Sequence, residues 1–146
     1  MLCHAKEGPA TKSTVPVVSL SERSGSMPNP VVHWEIMSND KSKGQELQRF
    51  YSELFGWKID ADNPYDYGMV DTQTERGING AVGPSEGVSR VSIYVEVDDP
   101  QAYLDKAVNL GATMVMPVTE IPGAVTMAMF ADPDGHITGI IRGGIE

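Results

Sequence analysis

A histidine and a carboxylate two residues apart on an extended segment point the same way. Such a pair can ligate a metal, move a proton or anchor a ligand. The sequence carries one at His33 and Glu35. Ser92, Tyr94 and Glu96 repeat the spacing in mid-chain. A third group, Asp132, Asp134 and His136, stands in "FADPDGHITGI". There Pro133 presets φ, Asp134 tolerates tight geometry and Gly135 can take positive φ, so the group reads as a hairpin turn, not an acid–base site. No GxSxG, HExxH or Cys–His pairing is present, and "GINGAVG" lacks the Lys-Ser/Thr ending of a phosphate loop.

The elements that must position these residues follow from periodicity. "VVHWEIM" alternates, with Val32, Trp34 and Ile36 on one face and His33, Glu35 and Met37 on the other. "SNDKSKGQELQRFYSELFG" is a helix, with Leu47, Phe50, Tyr51, Leu54 and Phe55 at helical spacing and Gly56 as its stop. "WKIDA", "YDYGMVDT" and "GINGAVG" read as three strands. The order then repeats. "RVSIYVEV" is a strand, and "DDPQAYLDKAVNLG" is a helix capped by Asp98 or Asp99 with Pro100 in its first turn. Its apolar stripe is Ala102, Tyr103, Ala107 and Leu110. "TMVMP", "AVTMAMFAD" and "HITGIIRG" are the last strands. Gly56 and Gly111 end the two helices 55 positions apart. The chain thus reads as an α+β fold of duplicated βαβββ modules, about 31–83 and 90–142, within a domain spanning 29–146. Two four-stranded sheets, each with a helix on one face, can curl into a cup-shaped half-barrel with the helices outside and a pocket inside.

Residues 1–28 are rich in Ser, Thr, Pro and Gly and read as a disordered tail, with a translation start at Met27 as one hypothesis. The net charge of −9 argues against nucleic acid and anionic lipid, and is compatible with a neutral or cationic small ligand. One cysteine, Cys3, precludes an internal disulfide and a cysteine-based zinc site. No apolar run is long enough to span a membrane and no secretion signal is evident, so a cytoplasmic setting is expected.

On "RFYSELFGWKI", "YVEVDDPQAYLDKAVNLGA" and "MFADPDGHITGI", residues 31–142 resemble the vicinal oxygen chelate superfamily of glyoxalase I, bleomycin-resistance proteins and extradiol dioxygenases. The resemblance implies paired βαβββ modules and a site inside the cup. Metal-dependent members carry a ligand on the first strand, a second on the strand opening the other half, and a glutamate three residues past the His or Asn of the final turn. In this chain those positions are His33, Ser92 and Gly139. Only His33 survives as a ligand, so the resemblance implies a subgroup deficient in metal ligands, with no cofactor. A rebuilt His33–Glu35–Glu96 cluster is the conceivable substitute.

Two readings follow. In the first, the cup holds a small, largely apolar or cationic molecule without a catalytic metal. Its contacts are His33, Glu35, Met37, Ser92, Tyr94, Glu96, Met127, Met129 and Gly139. In the alternative, the protein is a glyoxalase-like lyase or isomerase that uses His33 with Glu35 or Glu96, or an atypical metal. An accessory interaction role ranks third. Met37, Met69, Met114, Met116, Met127 and Met129 suit an adaptable apolar pocket or plain core. Arg76 and Arg90 are expected to be solvated, and Trp57 to be core or rim. The expected partners are a small-molecule ligand and a second copy in a homodimer.

Overall fold

The structure, a computed structural model, describes residues 28–123 and 125–143. The expected start at Met27 and all but the last residue of the expected tail lie outside the described residues. Strand β1 (Val31–Ser38) leads into α1 (Lys41–Phe55), followed by β2 (Lys58–Asp60), β3 (Gly68–Asp71) and β4 (Gly80–Pro84). The second half repeats this as β5 (Arg90–Glu96), α2 (Pro100–Asn109), β6 (Thr113–Glu120), β7 (Thr126–Ala131) and β8 (Ile137–Arg142).

All eight strands join one sheet in the order β2-β3-β4-β1-β5-β8-β7-β6. Each half closes with its last strand parallel to its first, β4 on β1 and β8 on β5. The halves meet along the antiparallel β1–β5 pair. This arrangement matches the duplicated βαβββ reading. The pairing also makes Glu35 and Tyr94 counterparts: Glu35 sits beside Ala81 in one half as Tyr94 sits beside Gly139 in the other.

The local chemistry explains the helices. Asp40 accepts from the Lys43 amide at 3.0 Å and Gly56 closes α1 at φ 72°. Asp99, rather than Asp98, caps α2. Gly44 lets α1 approach β4: a Cβ there would lie 2.4 Å from the Pro84 nitrogen. The apolar stripe of α1 is less buried than its periodicity suggests. Phe50 and Leu54 are exposed. Instead Trp57 joins Trp34, Tyr51 and Phe55 in an aromatic cluster on the helix side, which settles its place as packing rather than pocket rim. On α2 the buried residues are Pro100 and Leu104, while Ala102 and Leu110 face out. Leu104 packs with Val97, Ala128 and Ile140 in the core between α2 and the second half-sheet. Among the described residues no helix is long and apolar enough to cross a membrane.

Candidate functional site

Alternation along β1 sends His33, Glu35 and Met37 inward, and all three are buried. From β5, Ser92 and Tyr94 face them. The centre of the cluster is Glu35. Arg90 donates to its Oε1 at 2.9 Å, the Tyr94 hydroxyl donates to the same oxygen, and the Tyr67 hydroxyl donates to Oε2 at 2.7 Å. Both members of the Arg90–Glu35 ion pair are largely withdrawn from water. A charge so placed is tolerated only when paired and hydrogen-bonded, as this one is.

His33 closes the network, its Nε2 lying 2.7 Å from the Tyr67 hydroxyl. That hydroxyl has one proton and gives it to Glu35, so its oxygen accepts from a protonated Nε2. The neutral ring then carries a bare Nδ1, which is buried without a partner. Burial holds the His33 pKa below the ordinary histidine value, and the nearby Glu35 charge opposes that shift. Burial, and then Glu35, push the Tyr67 and Tyr94 hydroxyls above the ordinary tyrosine value.

Tyr67 arrives on a strap of residues 61–67 between β2 and β3. Asn63 fastens the strap to itself: its Oδ1 accepts from the Tyr67 amide at 2.9 Å and its Nδ2 donates to the Tyr67 carbonyl at 2.7 Å. Gln48 of α1 ties it down by donating to the carbonyls of Asp66 and Val82. On either side lies a chamber. The inner one, about 540 Å³, is walled by His33, Glu35, Asn63, Pro64, Tyr65, Tyr67, Met69, Tyr94, Ile121, Val125, Met127 and Ile141. Its surface is almost wholly carbon, because the polar atoms of the network are turned toward one another. The outer one, about 590 Å³, is more polar and is walled by Met37, Asn39, Lys41, Asp66, Pro84, Ser85 and Glu86 together with Glu35, Pro64, Tyr65 and Tyr67.

Several sequence expectations change. Glu96 is exposed at the end of β5 and lines neither chamber. Met129 is core, packed with Tyr94 and Ile141, whereas Met127 and Met69 do reach the inner chamber. Ser92 is buried with its hydroxyl unpartnered and stays behind the walls. Arg90, expected to be solvated, is the cation that neutralises Glu35. Arg76 is exposed as expected. The final turn also forms as read: Asp132 accepts from the Asp134 and His136 amides, Gly135 has φ 93°, and His136 points outward to Asp134. Tyr67 was missed because the sequence reads it inside the strand "YDYGMVDT", where a tyrosine announces no chemistry, whereas β3 begins only at Gly68. Its period-two relation to Met69 was the available signal.

The residues do not suit a divalent metal. His33 is a good donor, but Ser92 is a poor one and Gly139 is none. The space over Gly139 is filled by the Tyr94 ring, which a Cβ at 139 would meet at 2.3 Å. Among the described residues no three of His, Cys, Asp and Glu converge, so the His33–Glu35–Glu96 cluster does not form.

Comparison with known proteins adds the lineage. The model of the glyoxalase-like domain family matches residues 36–141. Two curated relatives, each named "Putative glyoxylase CFP32", come from Mycobacterium bovis and Mycobacterium tuberculosis. Each is 33% identical over 115 residues, which cover 73% of this chain and 42% of the relative. The chain therefore spans less than half the length of these relatives. Among solved structures, methylmalonyl-CoA epimerase from Mycobacterium tuberculosis aligns with a TM-score of 0.56 at 10% identity, covering 78% of this chain and 87% of that one. A glyoxalase/bleomycin resistance protein/dioxygenase superfamily member from Vibrio splendidus aligns at 0.52 with 14% identity, covering 80% and 100%. Identities this low speak for the fold alone.

Proposed function

The chain belongs to the glyoxalase-like domain family of the glyoxalase/bleomycin resistance/dioxygenase superfamily, and from that premise we propose that it binds a small, largely apolar molecule in its cup without a catalytic metal. The observation that carries this reading is the inner chamber, a carbon-lined cavity of about 540 Å³, with a poor metal donor at Ser92 and none at Gly139 behind its walls. Pockets of this size and character take compact organic molecules. The ion pair narrows the earlier choice between apolar and cationic ligands. Arg90 already compensates Glu35, so the chamber floor offers no free negative charge to a cation.

The same pairing weighs against Glu35 as the base of the lyase or isomerase alternative. A general base needs a free lone pair aimed at substrate. Three donors already hold the two oxygens of Glu35, so the alternative would fall to the unpartnered Nδ1 of His33 as its base. A developing enediolate would also lack the electrostatic support that a metal supplies.

The test is elemental analysis of chelator-free protein joined to a thermal-shift ligand screen. Negligible Ni, Zn, Fe or Mn per chain is expected, with an apolar ligand that stabilises by about 2.7 kcal/mol at a hundredfold excess over Kd. His33→Ala should shrink that shift. A stoichiometric metal, or the absence of any apolar binder, overturns the reading.

A further inference from the structure

The two chambers share four wall residues, Glu35, Pro64, Tyr65 and Tyr67. Glu35 is buried at the base and Tyr65 is exposed at the rim, with Tyr67 between them. Tyr67 is held at three levels. Its hydroxyl is hydrogen-bonded to His33 and Glu35, its backbone is clamped by Asn63, and its neighbour Asp66 is tied to Gln48 and sits at φ 53°. A side chain so fastened is a fixed wall rather than a mobile gate, because moving it would leave the buried Glu35 carboxylate one donor short.

We infer that Tyr67 is a specificity-determining residue: it partitions the cup and limits the ligand to what the carbon-lined inner chamber can hold. This rests on the apolar-binding reading above. The ligand class it selects is neutral and apolar, with an upper bound on length. Longer molecules must stop at the Tyr67 ring, and the more polar outer chamber stays out of reach of their hydrocarbon ends.

Methionines make the partition measurable. Met69 and Met127 line only the inner chamber, and Met37 lines only the outer one. Protein labelled with ¹³C at the methionine methyls would be titrated with primary alcohols from hexanol to dodecanol. In the wild type, affinity should rise about fourfold per methylene and then stop rising at a cut-off length, with Met69 and Met127 shifting and Met37 silent. In Tyr67→Ala the cut-off should move to longer alcohols, and Met37 should shift with them. If Tyr67→Ala does not fold, Tyr67→Leu, which lacks the outer half of the ring, gives the same readout. An unchanged cut-off in the variant, or a Met37 shift in the wild type, overturns the partition while leaving apolar binding intact. Silence of Met69 and Met127 toward every alcohol in the wild type removes the binding reading and the partition together.

Discussion

Removing Arg90 tests the whole account of the cup floor. In Arg90→Met the stem volume stays and the charge goes, leaving Glu35 buried with only the two tyrosine hydroxyls. Breaking a buried ion pair from one side costs about 3–5 kcal/mol, against about 0–1 kcal/mol for an exposed pair. The two remaining donors place the expectation at the low end, about 3 kcal/mol. With a urea m-value of about 2 kcal/mol/M, the unfolding midpoint should fall by about 1.5 M. The control is a double-mutant cycle with Glu35→Gln, which removes the charge that Arg90 compensates. The double variant should lose less than the two single losses added together, because the second substitution relieves the charge stranded by the first. A loss below about 1 kcal/mol for Arg90→Met, or a strictly additive cycle, would refute the reasoning and return Arg90 to the solvated surface.

Two further outcomes follow from the same geometry. Since burial keeps the folded His33 pKa below 6.5, the unfolded chain takes up that proton first as pH falls. Stability should therefore drop as pH falls below 6.5, and urea titrations should show a shallower pH dependence in His33→Asn; equal slopes would contradict a buried neutral ring. At the other end of the network, Gly139→Ala drives a methyl into the Tyr94 ring and should cost about 1–3 kcal/mol, much of it recovered in a Tyr94→Leu background. A tolerated Gly139→Ala would mean that the Tyr94 ring does not fill the space over residue 139.

Much of the scaffold was legible because its signals are local. Alternation around His33 set the buried face of β1, Gly56 and Gly111 marked the ends of two helices, and the repeated order carried the two βαβββ modules, though not the β1–β5 pairing that joins the two expected four-stranded sheets into one of eight strands. The turn at Asp132–Gly135 was equally plain, since its hydrogen bonds span only a few residues. Burial on the helices was less so: α1 has a regular apolar stripe, yet Phe50 and Leu54 remain exposed because Gly44 and Gln48 set the face that meets β4.

By itself the sequence determined the duplicated fold and the inward placement of His33 and Glu35. Those properties depend on residue type and on a period of two. Only the tertiary structure decided what Glu35 pairs with. Its partners come from Arg90, 55 positions along the chain, and Tyr67, 32 positions along. Arg90 shares the alternation of Ser92 and Tyr94, but alternation says which face a side chain takes and not what it meets there. Glu96 shows the converse, with the same period and a place beyond the rim. Chain periodicity assigns faces. The curvature of the sheet and the path of the strap assign neighbours, and an ion pair or a cavity wall exists only between neighbours.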